Sequence, residues 1–149
     1  MISIRGVHLW NMRLLQPIDI RYGHNLRLRD TRRSLHRKME EWSPRLAVVE
    51  WPCTPWSILQ RNVNYRDRPE ELEIRREADR PFLKLTKDIF ESQVARGGHA
   101  IGENPASADS HQEPDIMYLR NKYFERGSNM CVFGQVGEGG GLMKKLVRY

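Results

Sequence analysis

The chain has 149 residues, 39% of them hydrophobic and 30% charged, with a formal net charge of +6. That length fits one domain with a lean core. No apolar run approaches the ~18 residues of a membrane span, so a membrane role is not expected, and no secretory-type apolar leader is visible. The charge is uneven. Residues 1–45 carry ten Lys and Arg against four Asp and Glu, a surplus of six, and the remaining residues carry fifteen of each sign. Nine of those ten cations are arginines, which suit bidentate phosphate contact. Cys53 and Cys131 are far apart and neither sits in a CxxC pair, so no zinc or other metal site is expected; free thiols in an intracellular setting are.

In chain order, residues 1–17 read as a poorly defined arm. Ile18-Asp19-Ile20 reads as a strand end, and Tyr22-Gly23-His24-Asn25 as a turn. Asp30 or Thr31 is expected to cap a helix to about Trp42, with Leu35, Met39 and Trp42 on one stripe. Arg32, Arg33, Arg37 and Lys38 lie off that stripe. They are either a solvated face or a nucleic-acid contact. Ser43-Pro44 ends the helix, and Leu46–Val49 is a short buried strand. Pro52-Cys53-Thr54-Pro55-Trp56-Ser57 follows as a stiff loop, because its two prolines fix φ and remove two backbone donors. Residues 59–68 read as loop. Asp67 and Pro69 then open a helix to about Arg96, which Pro81 should kink or split. Gly97-Gly98 stops it. His99–Gly102 is a short strand with Glu103-Asn104-Pro105 at its tip, residues 106–115 a polar loop, and 114–124 a helix. Met130–Phe133 is a strand, and 135–149 a glycine-rich segment with an edge strand near its end.

Two strands joined by a helix suggest a parallel pair, with Cys53 and Glu103 at the same kind of place, each following a strand. Each residue has a plainer reading: Cys53 as a small buried thiol, Glu103 as a cap for backbone amides. A Cys-His hydrolase using Cys53 with His99 or His111 is the other chemistry that these residue types allow.

The stretch from Trp51 to Ser57 resembles the Pro-Cys loop of DNA cytosine-5 methyltransferases, a Pro-Pro-Cys-x-x-Phe-Ser type sequence. Trp51 stands at the first proline and Trp56 at the phenylalanine; Pro52, Cys53 and Ser57 match. Glu103-Asn104-Pro105 is similar to the family's Glu-Asn-Val motif. With Cys131-Val132-Phe133-Gly134, the order is that of the shortened methyltransferase-like segments of retroelement polyproteins. The resemblance covers roughly residues 18–134. It implies an α/β fold, an incomplete Rossmann-like three-layer domain with a mostly parallel sheet. It also implies Cys53 as the nucleophile on cytosine C6 and Glu103 as the carboxyl at N3. The target base would be flipped out of the stack, and Pro52, Ser57, Asn104 and Pro105 would line or position the substrate site. The implied cofactor is S-adenosylmethionine, met by Asp19 and Asn25, although no Phe-x-Gly-x-Gly type turn matches. The partner that the resemblance implies is DNA or RNA; a module of this descent without catalysis would bind nucleic acid or protein.

Overall fold

The structure is a computed structural model that describes residues 13–129 and 146–148. The first helix, α1 (Arg29–Trp42), starts one residue before Asp30. Leu28 is its N-cap and supplies no side-chain cap, while Asp30 sits in the first turn, where a carboxylate favours the positive helix end. Ser43 ends α1 in the left-handed region at φ 42°, and its hydroxyl donates to the Glu40 carbonyl. Pro44 then prevents further helix. Asp19 is not at a strand end. It caps a 3-10 turn, Ile20–Tyr22, that closes on Gly23 at φ 82°. Only glycine adopts that angle without strain.

Strand β1 (Leu46–Glu50) alternates in exposure, with Ala47 and Val49 turned inward. Between β1 and the second helix lie a 3-10 turn at Thr54–Trp56 and a π-helical turn at Gln60–Asn64, where loop alone was expected. Helix α2 (Pro69–Ala95) has Arg68 rather than Asp67 as N-cap and Pro at its first position. It runs through Pro81 without a break. Pro81 lies on the exposed side, so the Glu77 carbonyl that loses its donor is not sealed in the core. At its C-terminal end Gln93 is fully buried, and its Nε2 donates to the carbonyls of Pro44 and His99, tying α2 to the start of both neighbouring strands.

Strand β2 (His99–Pro105) pairs in parallel with β1, from Leu46 opposite His99 to Glu50 opposite Glu103. It extends through Asn104 and Pro105, which the sequence reading placed beyond its tip. Those two residues pair antiparallel with β4 (Leu146–Arg148), which also pairs with β3 (Gly127–Asn129). The strand order is β1-β2-β4-β3, so β4 lies inside the sheet and not at its edge. The sheet is mixed, and its parallel part is the β1–β2 pair crossed by α2. Helix α3 (Pro114–Lys122) buries Ile116 and Leu119 as its spacing predicts. The expected strand at Met130–Phe133 lies outside the described residues.

Two apolar clusters flank α2. Leu35, Leu85 and Ile89 pack with Met39, Ala47 and Val49, joining α1 and α2 to the inner face of β1. Trp51, Trp56, Leu83, Ala108, Ile116 and Leu119 form the second, beneath the Pro-Cys loop. Gly102 makes the second possible, since a Cβ there would stand 3.0 Å from the Trp51 ring and 3.2 Å from Phe90. The outer face of the parallel pair carries Val48 and Ile101, both exposed.

Asp79 of α2 is 3% exposed, and its carboxylate meets Arg27 at 3.0 Å. Burial raises its pKa above the ordinary 3.8, and the charge and hydrogen bond of Arg27 offset part of that rise. The folded state therefore holds this proton to higher pH than the unfolded chain. Denaturation across a pH series should show wild type losing stability relative to Asp79→Asn as pH rises from 3.8 through the raised value, then levelling off. A wild type that gains stability relative to Asp79→Asn over that rise in pH would contradict it.

Candidate functional site

The Pro-Cys loop leaves β1 directly after Glu50, the register partner of Glu103. Three residues of chain span at most roughly 11 Å, and neighbouring strands lie about 4.8 Å apart. Cys53 and Glu103 thus share one end of the parallel pair, their Cα atoms within roughly 16 Å. Glu103 is not a loop residue. It lies within β2, half-buried, on the same face as Glu50, opposite to the inward Gly102 and Asn104. Cys53 is half-buried, not enclosed, and its carbonyl accepts from the Trp56 amide at 3.1 Å to start the 3-10 turn.

A buried polar ring joins the two motif segments. Asn104, 1% exposed, donates from Nδ2 to the Trp51 carbonyl at 2.9 Å. Ser110, fully buried, sets its hydroxyl 3.5 Å from Asn104 Oδ1 and accepts the Trp51 indole N–H at 3.1 Å. The Trp51 ring meets His111 edge-on at 6.3 Å, and His111 Nε2 lies 2.9 Å from the Pro105 carbonyl. Pro105 is thereby a fixed point of the turn after β2, and Asn104 fixes the backbone just before Pro52 and Cys53. Ser110 was not foreseen, and neither was the duty of Trp51. The available signal was that a tryptophan in place of proline brings an indole donor, which needs a partner when buried.

A second brace grips the far side of the loop. Arg76 of α2 donates to the Pro55 carbonyl at 3.1 Å and pairs with Asp109 at 2.5 Å, while Arg61 holds the other Asp109 oxygen at 3.0 Å. The guanidinium groups of Arg76 and Arg80 lie 5.2 and 6.0 Å from the buried Trp56 ring. Glu113 and Glu73, then Glu77, hold Arg80 firmly charged. Ser57 Oγ accepts from the Gln60 amide at 3.4 Å and so serves the turn that follows the loop.

The other predicted residues lie on the N-terminal side. Asp19 Oδ1 accepts from the Arg21 amide at 2.8 Å, and Asn25 Oδ1 from the Arg27 amide at 3.1 Å. Both close local turns of the kind short polar side chains favour. Arg32 donates to the Leu26 and Arg27 carbonyls, both at 2.8 Å, and braces the start of α1. Arg33 lies 3.5 Å from Asp30, Lys38 stands 5.4 Å over the Trp42 ring, and Arg37 is exposed. Among the described residues no three His, Cys, Asp or Glu side chains converge on a metal position, and no helix is long and apolar enough to cross a membrane. No family model, curated protein or solved structure matches the chain.

Proposed function

We propose that this chain is a DNA cytosine-5 methyltransferase-like domain, of the kind carried in retroelement polyproteins, that keeps the frame of the catalytic rim and binds nucleic acid without methylating it. The incomplete Rossmann-like three-layer architecture belongs to the same proposal. The observation that carries it is the Asn104–Trp51 hydrogen bond at 2.9 Å, which makes the Glu-Asn-Pro segment the support of the Pro-Cys loop. Two motifs about fifty residues apart then act as one unit, as the resemblance implies. The surplus of six positive charges before that loop supplies attraction for a phosphate backbone.

Among the described residues, those on hand do not fit S-adenosylmethionine. Asp19 and Asn25 each spend Oδ1 on closing their own turns. Gly97 and Gly98 terminate α2, and Gly102 sits under Trp51, so none of them opens a glycine-rich turn. The half-buried thiol and the carboxylate on the neighbouring strand favour a second reading, active methyl transfer through Cys53 and Glu103 with S-adenosylmethionine as donor.

One experiment separates them. The protein is mixed with oligonucleotides in a salt series, and with a duplex carrying a fluorinated cytosine plus S-adenosylmethionine. The proposal predicts binding that weakens with salt, survives Cys53→Ala and leaves no covalent adduct. An adduct through Cys53 would establish the enzyme. Absent or salt-insensitive binding would remove the interaction reading.

A further inference from the structure

The arginine-rich helix α1 does not carry its charge evenly. Arg29, Arg32, Arg33 and His36 fall at spacings of three and four, hence on one face, and together form one wall of a cleft of about 530 Å3. The other wall belongs to α2, with Lys84 among its charges and Pro81 and Leu85 as apolar floor. The two walls differ in balance. Each carboxylate lining the cleft already holds a cation: Glu77 pairs with Arg80, Asp88 with Lys84 at 3.2 Å, and Asp115 with Lys87 at 3.0 Å. On α1 the compensation is slight. Among the described residues Arg29 forms no ion pair, and Arg33 meets only the exposed Asp30, at 3.5 Å. Arg32 spends one nitrogen on the carbonyls at the helix start and holds the wall in place. The uncapped N-terminus of α1 adds positive potential at the Arg29 end.

We propose that this cleft is where the domain takes the sugar-phosphate backbone of a single-stranded nucleic acid, with Arg29 and Arg33 on the phosphates and Pro81 and Leu85 beneath the sugars. The inference rests on the nucleic-acid reading above and gives it a place, which excludes Arg37 and Lys38. From residue 29 to residue 36 the helix rises about 10 Å, room for two phosphates. A double helix is too wide to enter a cleft of this size, whereas a groove with one cationic wall and an apolar floor suits a single strand.

The test uses the full chain and a fluorescent oligothymidylate, with a duplex of equal length for comparison, titrated between 50 and 200 mM salt as a ~fourfold range. Each phosphate contact contributes about 0.7 to the log–log salt slope for a single strand. The double variant Arg29→Gln, Arg33→Gln should lower the slope by about 1.4, so that the affinity lost over this salt range shrinks roughly sevenfold. Arg37→Gln, Lys38→Gln should leave the slope unchanged. Both pairs are exposed or half-buried on α1, and circular dichroism checks that each variant keeps its helix content. Lys84→Gln, on the opposite wall, gives a second readout and should also weaken binding. If the 37/38 variant lowers the slope and the 29/33 variant does not, the cleft is wrong while the nucleic-acid reading stands. If wild type shows no salt-dependent binding, both fall. Tighter binding of the duplex overturns the single-strand assignment.

Discussion

Trp56→Ala should lower the unfolding free energy by about 3–5 kcal/mol, the usual cost of emptying a buried aromatic site. Trp56 is fully buried at the centre of the cluster that includes Leu83, Ile116 and Leu119. It is also the surface on which Arg76 and Arg80 rest, so the truncation removes two cation–π contacts with the packing. Its indole nitrogen has no hydrogen-bond partner. The contribution is therefore one of area and ring face, and Trp56→Phe should cost far less than the alanine, since phenylalanine brings no donor to leave unpaired. Urea denaturation of both variants measures this. A loss under about 0.5 kcal/mol for the alanine variant, within the range of an ordinary surface substitution, would mean that the loop is not part of the core.

Asn104→Leu should cost about 2–4 kcal/mol, because the heavy-atom count and branching are kept while the Trp51 carbonyl and the Ser110 hydroxyl both lose a partner in a buried site. The consequence for the candidate site is more specific than the loss of stability. With the Trp51 carbonyl released, the backbone before Pro52 is no longer fixed, and Cys53 passes from half-buried to open. Maleimide labelling of Cys53, measured in a Cys131→Ser background under conditions where the variant remains folded, should become at least about tenfold faster, an opening free-energy change of roughly 1.4 kcal/mol. Unchanged labelling in a destabilised variant would show that Asn104 supports the core but not the loop.

Local pattern carried the elements whose partners are near in sequence. The apolar run Leu46–Val49, the capping at Ser43-Pro44 and the Ile116/Leu119 spacing each sufficed for a strand, a stop and a helix. What escaped depends on partners far along the chain. Glu103-Asn104-Pro105 reads as the tip beyond a strand ending at Gly102, but β2 runs on to Pro105 because Asn104 and Pro105 pair with Arg148 and Val147. Pro81 reads as a helix break, and only its exposed position lets α2 pass through. Arg76 sits in a run of alternating charges that reads as a solvated face. Its side chain is 16% exposed, because Asp109 and the Pro55 carbonyl cover it, and no i,i+4 pattern marks such a residue out. Within the site, the placement of Glu103 on the strand parallel to the one that leads into the Pro-Cys loop was legible from the helical crossover between them. The fixing of Trp51 by Ser110, 59 residues away, was not. Asp19 and Asn25 illustrate the opposite error. A nearby backbone amide competes for their oxygens, and short polar residues beside a glycine turn signal that competition in advance.

The claim on which the rest depends is that β1 and β2 lie side by side in parallel with Glu50 opposite Glu103. Cysteines at register partners on adjacent strands, with Cα atoms about 4.8 Å apart, fall within disulfide reach. In a background with Cys53 and Cys131 changed to serine, E50C/E103C should close to one intramolecular disulfide under mild oxidation, read by mass spectrometry after proteolysis. E50C/A100C, which pairs an outward position with an inward one three residues back, should stay reduced. Closure of the second pair with the first left open would mean a register shifted by three residues and contradict the account.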